Sequence, residues 1–188
     1  MKARIVTAAA TIALIFSMQH VQAQTTPEAK PLGKFGEWEA AFVVEKDSGS
    51  KYCYMAAKPS DTKSDKPMKG RDPAFLFITH WPSDDEKNAV TFSAGFTIKP
   101  GSKADVTVDG KSSFSMATGG REKTSVDADA QMAWMEDNAK EDELATAISK
   151  GSKLVVKTIS KRGTTITDTY NLSGSGDAYK AISKECGY

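Results

Sequence analysis

The chain has 188 residues, with 25 Lys and Arg against 24 Asp and Glu, and a formal charge of +1. This near-balance, with no basic run, gives no sign of a nucleic-acid binder, which normally concentrates basic residues on one face or stripe. Beyond the N-terminus no stretch approaches the ~20 apolar residues needed to cross a bilayer.

Residues 1–23 have the layout of an export signal. Lys2 and Arg4 start it, Ile5 to Met18 is mostly apolar, and Val21 and Ala23 are small residues where a signal peptidase reads. Cleavage near Ala23 is expected to release residues 24–188 to the periplasm, the medium or the outer surface. The loss of Lys2 and Arg4 then turns the formal charge slightly negative. No cysteine follows the signal closely, so no lipid anchor is expected, nor any transmembrane segment in the mature chain. The remainder suits one domain, and at this size roughly 70% of the unfolded surface can be buried without metal or cross-links.

Residues 24–34 are polar, carry Pro27 and Pro31, and show no apolar period, which predicts a flexible lead-in to a single domain over 35–188. Trp38, Ala40 and Phe42 then alternate as in a half-buried strand, and Tyr52 to Met55 form a second strand after a Gly-Ser turn. Pro59 to Pro73 reads as a long projecting loop. Ala74 to Trp81 is a strand covered on both faces, and Val90 to Ala94 alternates again, with a bend expected at Gly95. Asp109-Gly110 predicts a hairpin between Val106–Val108 and Phe114–Met116, and Gln131 to Met135 is a further short strand.

A helix is expected from about Asp142 to Lys150, where Leu144, Ala147 and Ile148 share a face and Gly151 ends it. Leu154–Ser160 and Thr164–Leu172 form a β-branched pair about Arg162-Gly163. In the last segment Ala178, Ile182 and Cys186 recur every four residues, as on one face of a short helix. Short strands at turn-punctuated intervals predict an all-β sandwich with one or two short helices. Cys53 and Cys186 are the two cysteines, and in an oxidising compartment they read most simply as one disulfide. The other reading is two free thiols for redox or metal chemistry, which the wide spacing disfavours.

The stretch Ser-Lys-Arg-Gly-Thr-Thr-Ile-Thr-Asp-Thr-Tyr-Asn-Leu-Ser-Gly, residues 160–174, resembles the C-terminal signature of the invasion-associated locus B family. Trp38, Cys53-Tyr54 followed by Pro59, Arg71, Asp109-Gly110 and Ala133-Trp134 fit the same pattern, so the resemblance spans nearly the whole mature domain. It implies an immunoglobulin-like β-sandwich and an exported accessory or binding protein, without an established reaction or cofactor. A role in host-cell interaction follows only from the family's name. Ser175 departs from the bulky apolar residue usual after this Gly174, so a looser seat for the last helix is expected.

Catalytic residues are not expected. His20 belongs to the signal, so His80 is the only histidine of the mature chain, and no Gly-x-Ser-x-Gly elbow accompanies it. A periplasmic hydrolase or transferase using His80 is the rival reading. No metal or other cofactor is expected: Asp127, Asp129, Glu136, Asp137, Glu141, Asp142 and Glu143 are acidic enough for calcium, but their spacing is not an EF-hand's and reads better as a solvated face. Gly174-Ser175-Gly176 reads as a tight turn rather than a phosphate cradle.

Within the signature, Arg162, Gly163, Thr164, Asp168, Thr169 and Tyr170 are expected to act structurally. Asp168 shares a face with Ile166, Tyr170 and Leu172 and therefore needs partners, for which Arg162 or backbone N–H groups are the candidates. Thr165, Thr167 and Thr169 line the other face. Lys63, Lys66, Lys69 and Arg71, on the long loop, are the candidates for contacting an envelope or host-surface protein or glycan, while their mixture with Asp61, Asp65 and Asp72 suits solubility equally well.

Overall fold

The computed structural model describes residues 28–119 and 129–188, so the expected signal over 1–23 lies outside the described residues. The strands are β1 (Lys30–Phe35), β2 (Trp38–Val44), β3 (Lys51–Ala57), β4 (Asp61–Ser64), β5 (Phe75–Trp81) and β6 (Glu86–Ser93). They continue as β7 (Ala104–Val108), β8 (Ser112–Thr118), β9 (Met132–Trp134), β10 (Lys153–Ile159) and β11 (Thr165–Asn171). Helix α1 (Asn138–Lys150) precedes β10, and α2 (Ser175–Cys186) ends the fold.

All pairings are antiparallel, in the order β1-β2-β3-β5-β6-β9-β8-β7-β10-β11-β4. The series folds over as an all-β sandwich, with β1, β2, β3, β5 and β6 on one side and β7, β10, β11 and β4 on the other. One apolar core joins the two: Met55, Leu76, Ile78 and Phe92 from the first side, Val106, Leu154, Val156 and Tyr170 from the second. Leu144, Ile148, Ala178 and Ile182 of the two helices belong to the same core. Trp38 ties the halves by donating its indole N–H to the Asn171 carbonyl at 3.1 Å.

Two segments differ from expectation. Residues 30–34, expected as part of the flexible lead-in, belong to β1, an edge strand paired with β2 from Lys30↔Phe42 to Phe35↔Trp38. Pro31 sits at its bulge, a position open to proline on an edge, and this obscures the strand pattern. Residues 61–64 of the expected loop form β4, paired with β11. All four of its residues are exposed, so it has no apolar alternation to betray it.

Helix α1 starts earlier than expected because Asp137 caps it, accepting from the N–H groups of Ala139 and Lys140. Asp109 of the β7–β8 turn also accepts from Ser152 and Lys153 N–H, fixing the exit of α1 onto β10. At this same C-terminal end of α1, buried Ser175 donates its hydroxyl to the Ile148 carbonyl at 2.7 Å. The expected loosening at Ser175 is thus met by a hydrogen bond joining the helices. Gly174 and Gly36 bring α2 against the β1–β2 turn: a Cβ on Gly174, whose φ is +89°, would stand 2.2 Å from the Phe35 carbonyl oxygen.

Cys53 of β3 and Cys186 of α2 form a disulfide across 133 residues. Beyond it, the outward faces of the two sides differ. Tyr52, Tyr54, Phe75, Phe77 and Trp81 are half-buried on the face opposite Cys53, with Tyr52 and Trp81 ring centroids 4.5 Å apart. The outward face of β11 carries Thr165, Thr167 and Thr169, also half-buried, with Lys63 of β4 opposite Thr167.

Candidate functional site

The signature and the long loop meet at one end of the sandwich. Asp168 is fully buried in β11, where an ionised carboxylate demands close partners. Arg71 supplies them in a two-pronged contact, Nη1 to Oδ1 at 2.8 Å and Nη2 to Oδ2 at 2.6 Å. Thr62 of β4, opposite Asp168 in the strand register, adds a hydroxyl hydrogen bond at 2.7 Å.

Arg71 is itself held: its Nε donates to the Ala94 carbonyl at 2.8 Å, and its guanidinium carbon lies 5.2 Å from the centre of the Phe96 ring. The loop is laid down on the end of β6 by the Asp72 N–H, which donates to the Gly95 carbonyl. This approach requires Gly95, since a Cβ there would come within 2.1 Å of the Asp72 carbonyl oxygen. The expectation that Arg162 or a loop backbone satisfies Asp168 is therefore corrected. Arg162 lies exposed in the β10–β11 turn, ahead of the first residue of β11, whereas Arg71 is carried over the buried face by the chain entering β5.

Beside this pair opens a cavity of about 420 Å³ between residues 67–72, the 95–97 bend and the β10–β11 turn. Met68, Phe96 and Ile166 give it apolar wall, while Lys69, Lys161 and Arg162 give it positive charge beside the paired Arg71. Other signature residues hold the frame. Gly163 accepts at its carbonyl from Lys66 Nζ at 3.0 Å, buried Thr164 donates its N–H to Ser160 Oγ, and the Thr169 carbonyl accepts from Ser60. Lys63 stays exposed on β4 near Asp61, at 3.9 Å. Tyr170 is buried with no hydrogen-bond partner for its hydroxyl among the described residues, and burial raises its pKa.

His80 lies elsewhere, at the far end of β5 and fully buried. Its Nδ1 accepts the Asn88 backbone N–H at 3.0 Å, and its Nε2 lies 3.1 Å from Ser183 Oγ of α2. Because Nδ1 is spent as an acceptor, the neutral ring carries its proton on Nε2 and donates to Ser183. A serine base needs the reverse. Burial lowers the His80 pKa to about 4. Asn88, at a β6 bulge with φ 63°, also accepts from Tyr179 Oη at 2.6 Å and donates to Asp142 at 2.6 Å. This polar knot joins β5, β6, α1 and α2, and it was not read from the sequence. Asn88 gives no sequence signal, because it follows Glu86 and Lys87 at the polar start of β6.

The acidic run is likewise spent on structure. Glu141 is buried and accepts the Val90 N–H at 2.8 Å, Asp142 takes the Asn88 amide, and Glu143 pairs with Lys140 at 2.8 Å. Asp127 lies outside the described residues, and no group of three or more His, Cys, Asp or Glu among the described residues is gathered closely enough to hold a metal ion. No described helix is long and apolar enough to cross a membrane.

Fold and site define a disulfide-closed β-sandwich with a basic cavity at one end. The model of the invasion associated locus B (IalB) protein family matches residues 38–183, and the chain belongs to that family. No curated protein and no solved structure matches it.

Proposed function

We propose that this invasion-associated locus B type protein is an exported, non-enzymatic recognition protein of the cell envelope or outer surface. It acts after removal of residues 1–23, and its partner is an envelope or host-surface protein or glycan. The observation that carries this reading is the meeting of two segments distant in sequence. The loop ahead of β5 and the β10–β11 turn build one cavity, on a frame braced by a buried ion pair. Loops held on a rigid scaffold are the usual seat of recognition. A disulfide closing most of the domain fits an oxidising compartment.

The rival, a hydrolase or transferase using His80, is disfavoured by proton placement: towards Ser183 the histidine donates where a base must accept, and its other nitrogen accepts the Asn88 N–H instead of donating to a carboxylate. The test is a pull-down from envelope extracts with tagged residues 24–188 at physiological salt, paired with N-terminal sequencing of the protein from its native host. A mature terminus at or near Gln24 and a saturable partner are expected. An uncleaved chain retained in the cytoplasm, or an extract yielding nothing specific, would overturn the proposal.

A further inference from the structure

Among the residues lining the cavity, Arg71 is neutralised by Asp168. Lys69, Lys161 and Arg162 are exposed and make no hydrogen bond or ion pair with their side chains among the described residues. Against these three cations the lining holds, among the described residues, a single carboxylate, Asp72. An excess of unpaired positive charge round a concave site favours an anion, since each cation keeps its full capacity to form charge-assisted hydrogen bonds.

The wall beneath them is not uniformly polar. Met68, Phe96 and Ile166 are apolar, and Thr97, Gln131 and Thr164 add hydroxyl and amide groups. An inorganic anion would leave that apolar wall unused. A compact ring with one C–H face, several hydroxyls and an acidic substituent uses all three kinds of lining at once. The volume, near 420 Å³, falls in the range of small-ligand pockets rather than of extended-chain grooves.

We infer that this cavity binds a saccharide unit bearing phosphate or carboxylate, with Lys69, Lys161 and Arg162 gripping the acidic group and the Met68–Phe96–Ile166 wall taking the ring. The inference rests on the recognition reading and names its ligand class. Arg71 acts as a positioning residue here, holding the loop that carries Lys69 against the β10–β11 turn.

Titration calorimetry with glucose 6-phosphate, glucuronate, neutral glucose and inorganic phosphate, at low and physiological salt, tests it. Both acidic sugars are expected to bind, more tightly than inorganic phosphate, with glucose silent and affinity falling as salt rises. Arg162→Ala is expected to weaken glucose 6-phosphate by about tenfold, as loss of a hydrogen bond to a charged group would. Lys157→Ala, on β10 outside the cavity, should change nothing. All four side chains are exposed, so folding is checked simply by the melting curve. Equal binding of phosphate and acidic sugars, no binding of either sugar, or indifference to Arg162→Ala would overturn the inference. The envelope pull-down repeated with the Lys69→Ala, Lys161→Ala, Arg162→Ala triple variant separates the two failures. Partner capture lost in that variant while the sugars fail keeps the recognition reading and sinks the ligand class; capture unchanged sinks the cavity as the recognition site.

Discussion

Arg71 and Asp168 stand 97 residues apart in the chain and meet in a bidentate contact with no solvent access to the carboxylate. Removing one partner strands the other, so Arg71→Ala is expected to cost about 3 to 5 kcal/mol in stability. The double replacement Arg71→Met with Asp168→Leu should recover most of that, because a matched apolar pair leaves no buried charge. Urea unfolding of the two singles and the double completes the cycle. Additive losses would show that the two side chains act independently.

The disulfide between Cys53 and Cys186 closes a loop with a sequence separation of 133 residues. Chain-entropy reasoning assigns such closure about 5 kcal/mol through the unfolded state, so Cys53→Ala with Cys186→Ala should unfold at markedly lower denaturant. Alkylation of the wild-type protein without reductant, read by intact mass, is expected to add no label. Two labels per molecule would mean free thiols.

His80 gives a pH signature. Its pKa in the fold is about 4, against 6.5 for an unperturbed histidine, so the unfolded chain takes up the proton first. Its contribution to stability is complete above about pH 6.5, falls as pH drops towards 4, and changes no further below that. Urea midpoints at intervals from pH 7.5 to 4 should decline in wild type, and the decline should be shallower in His80→Gln. Parallel profiles would assign the whole slope to carboxylates instead.

Tyr170 belongs to the signature, yet its hydroxyl lacks a hydrogen-bond partner among the described residues. Tyr170→Phe is therefore expected to leave stability unchanged or to raise it by up to about 1 kcal/mol. Tyr170→Ala, which empties a core position, should lose about 3 to 5 kcal/mol. Thermal melts of both variants decide whether the ring or the oxygen matters. A clear loss in Tyr170→Phe would reveal a partner for the hydroxyl.

The sequence made the sandwich legible wherever burial imposes alternation, as at Trp38–Phe42 and Val106–Val108. It also exposed the disulfide, because Cys186 falls on the apolar face of α2 with Ala178 and Ile182. It concealed β1 and β4, since edge strands satisfy one side with water and need no apolar period. Asp168 advertised a need for a partner through its neighbours Ile166 and Tyr170. The identity of that partner was not local: Arg71 sits among lysines and aspartates that share its composition but not its burial. The cavity was hidden for the same reason, being made by segments distant in sequence that long-range contacts bring together, among them the β4–β11 pairing, the Arg71–Asp168 pair and the Lys66–Gly163 bond. Asn88 and Ser183 were invisible because a hydrogen-bond knot leaves no period.

Strand β5 works as a ruler between the two ends of the domain. Arg71 and the bend at Gly95 lie by its first residue, Phe75, while His80 and the sulfur bridge lie by its last, roughly 20 Å away at the rise of an extended chain. The carboxyl terminus is thus cross-linked at the end remote from the cavity. A probe, resin or sensor chip joined after Tyr188 would hold the molecule with its basic mouth turned towards the sample.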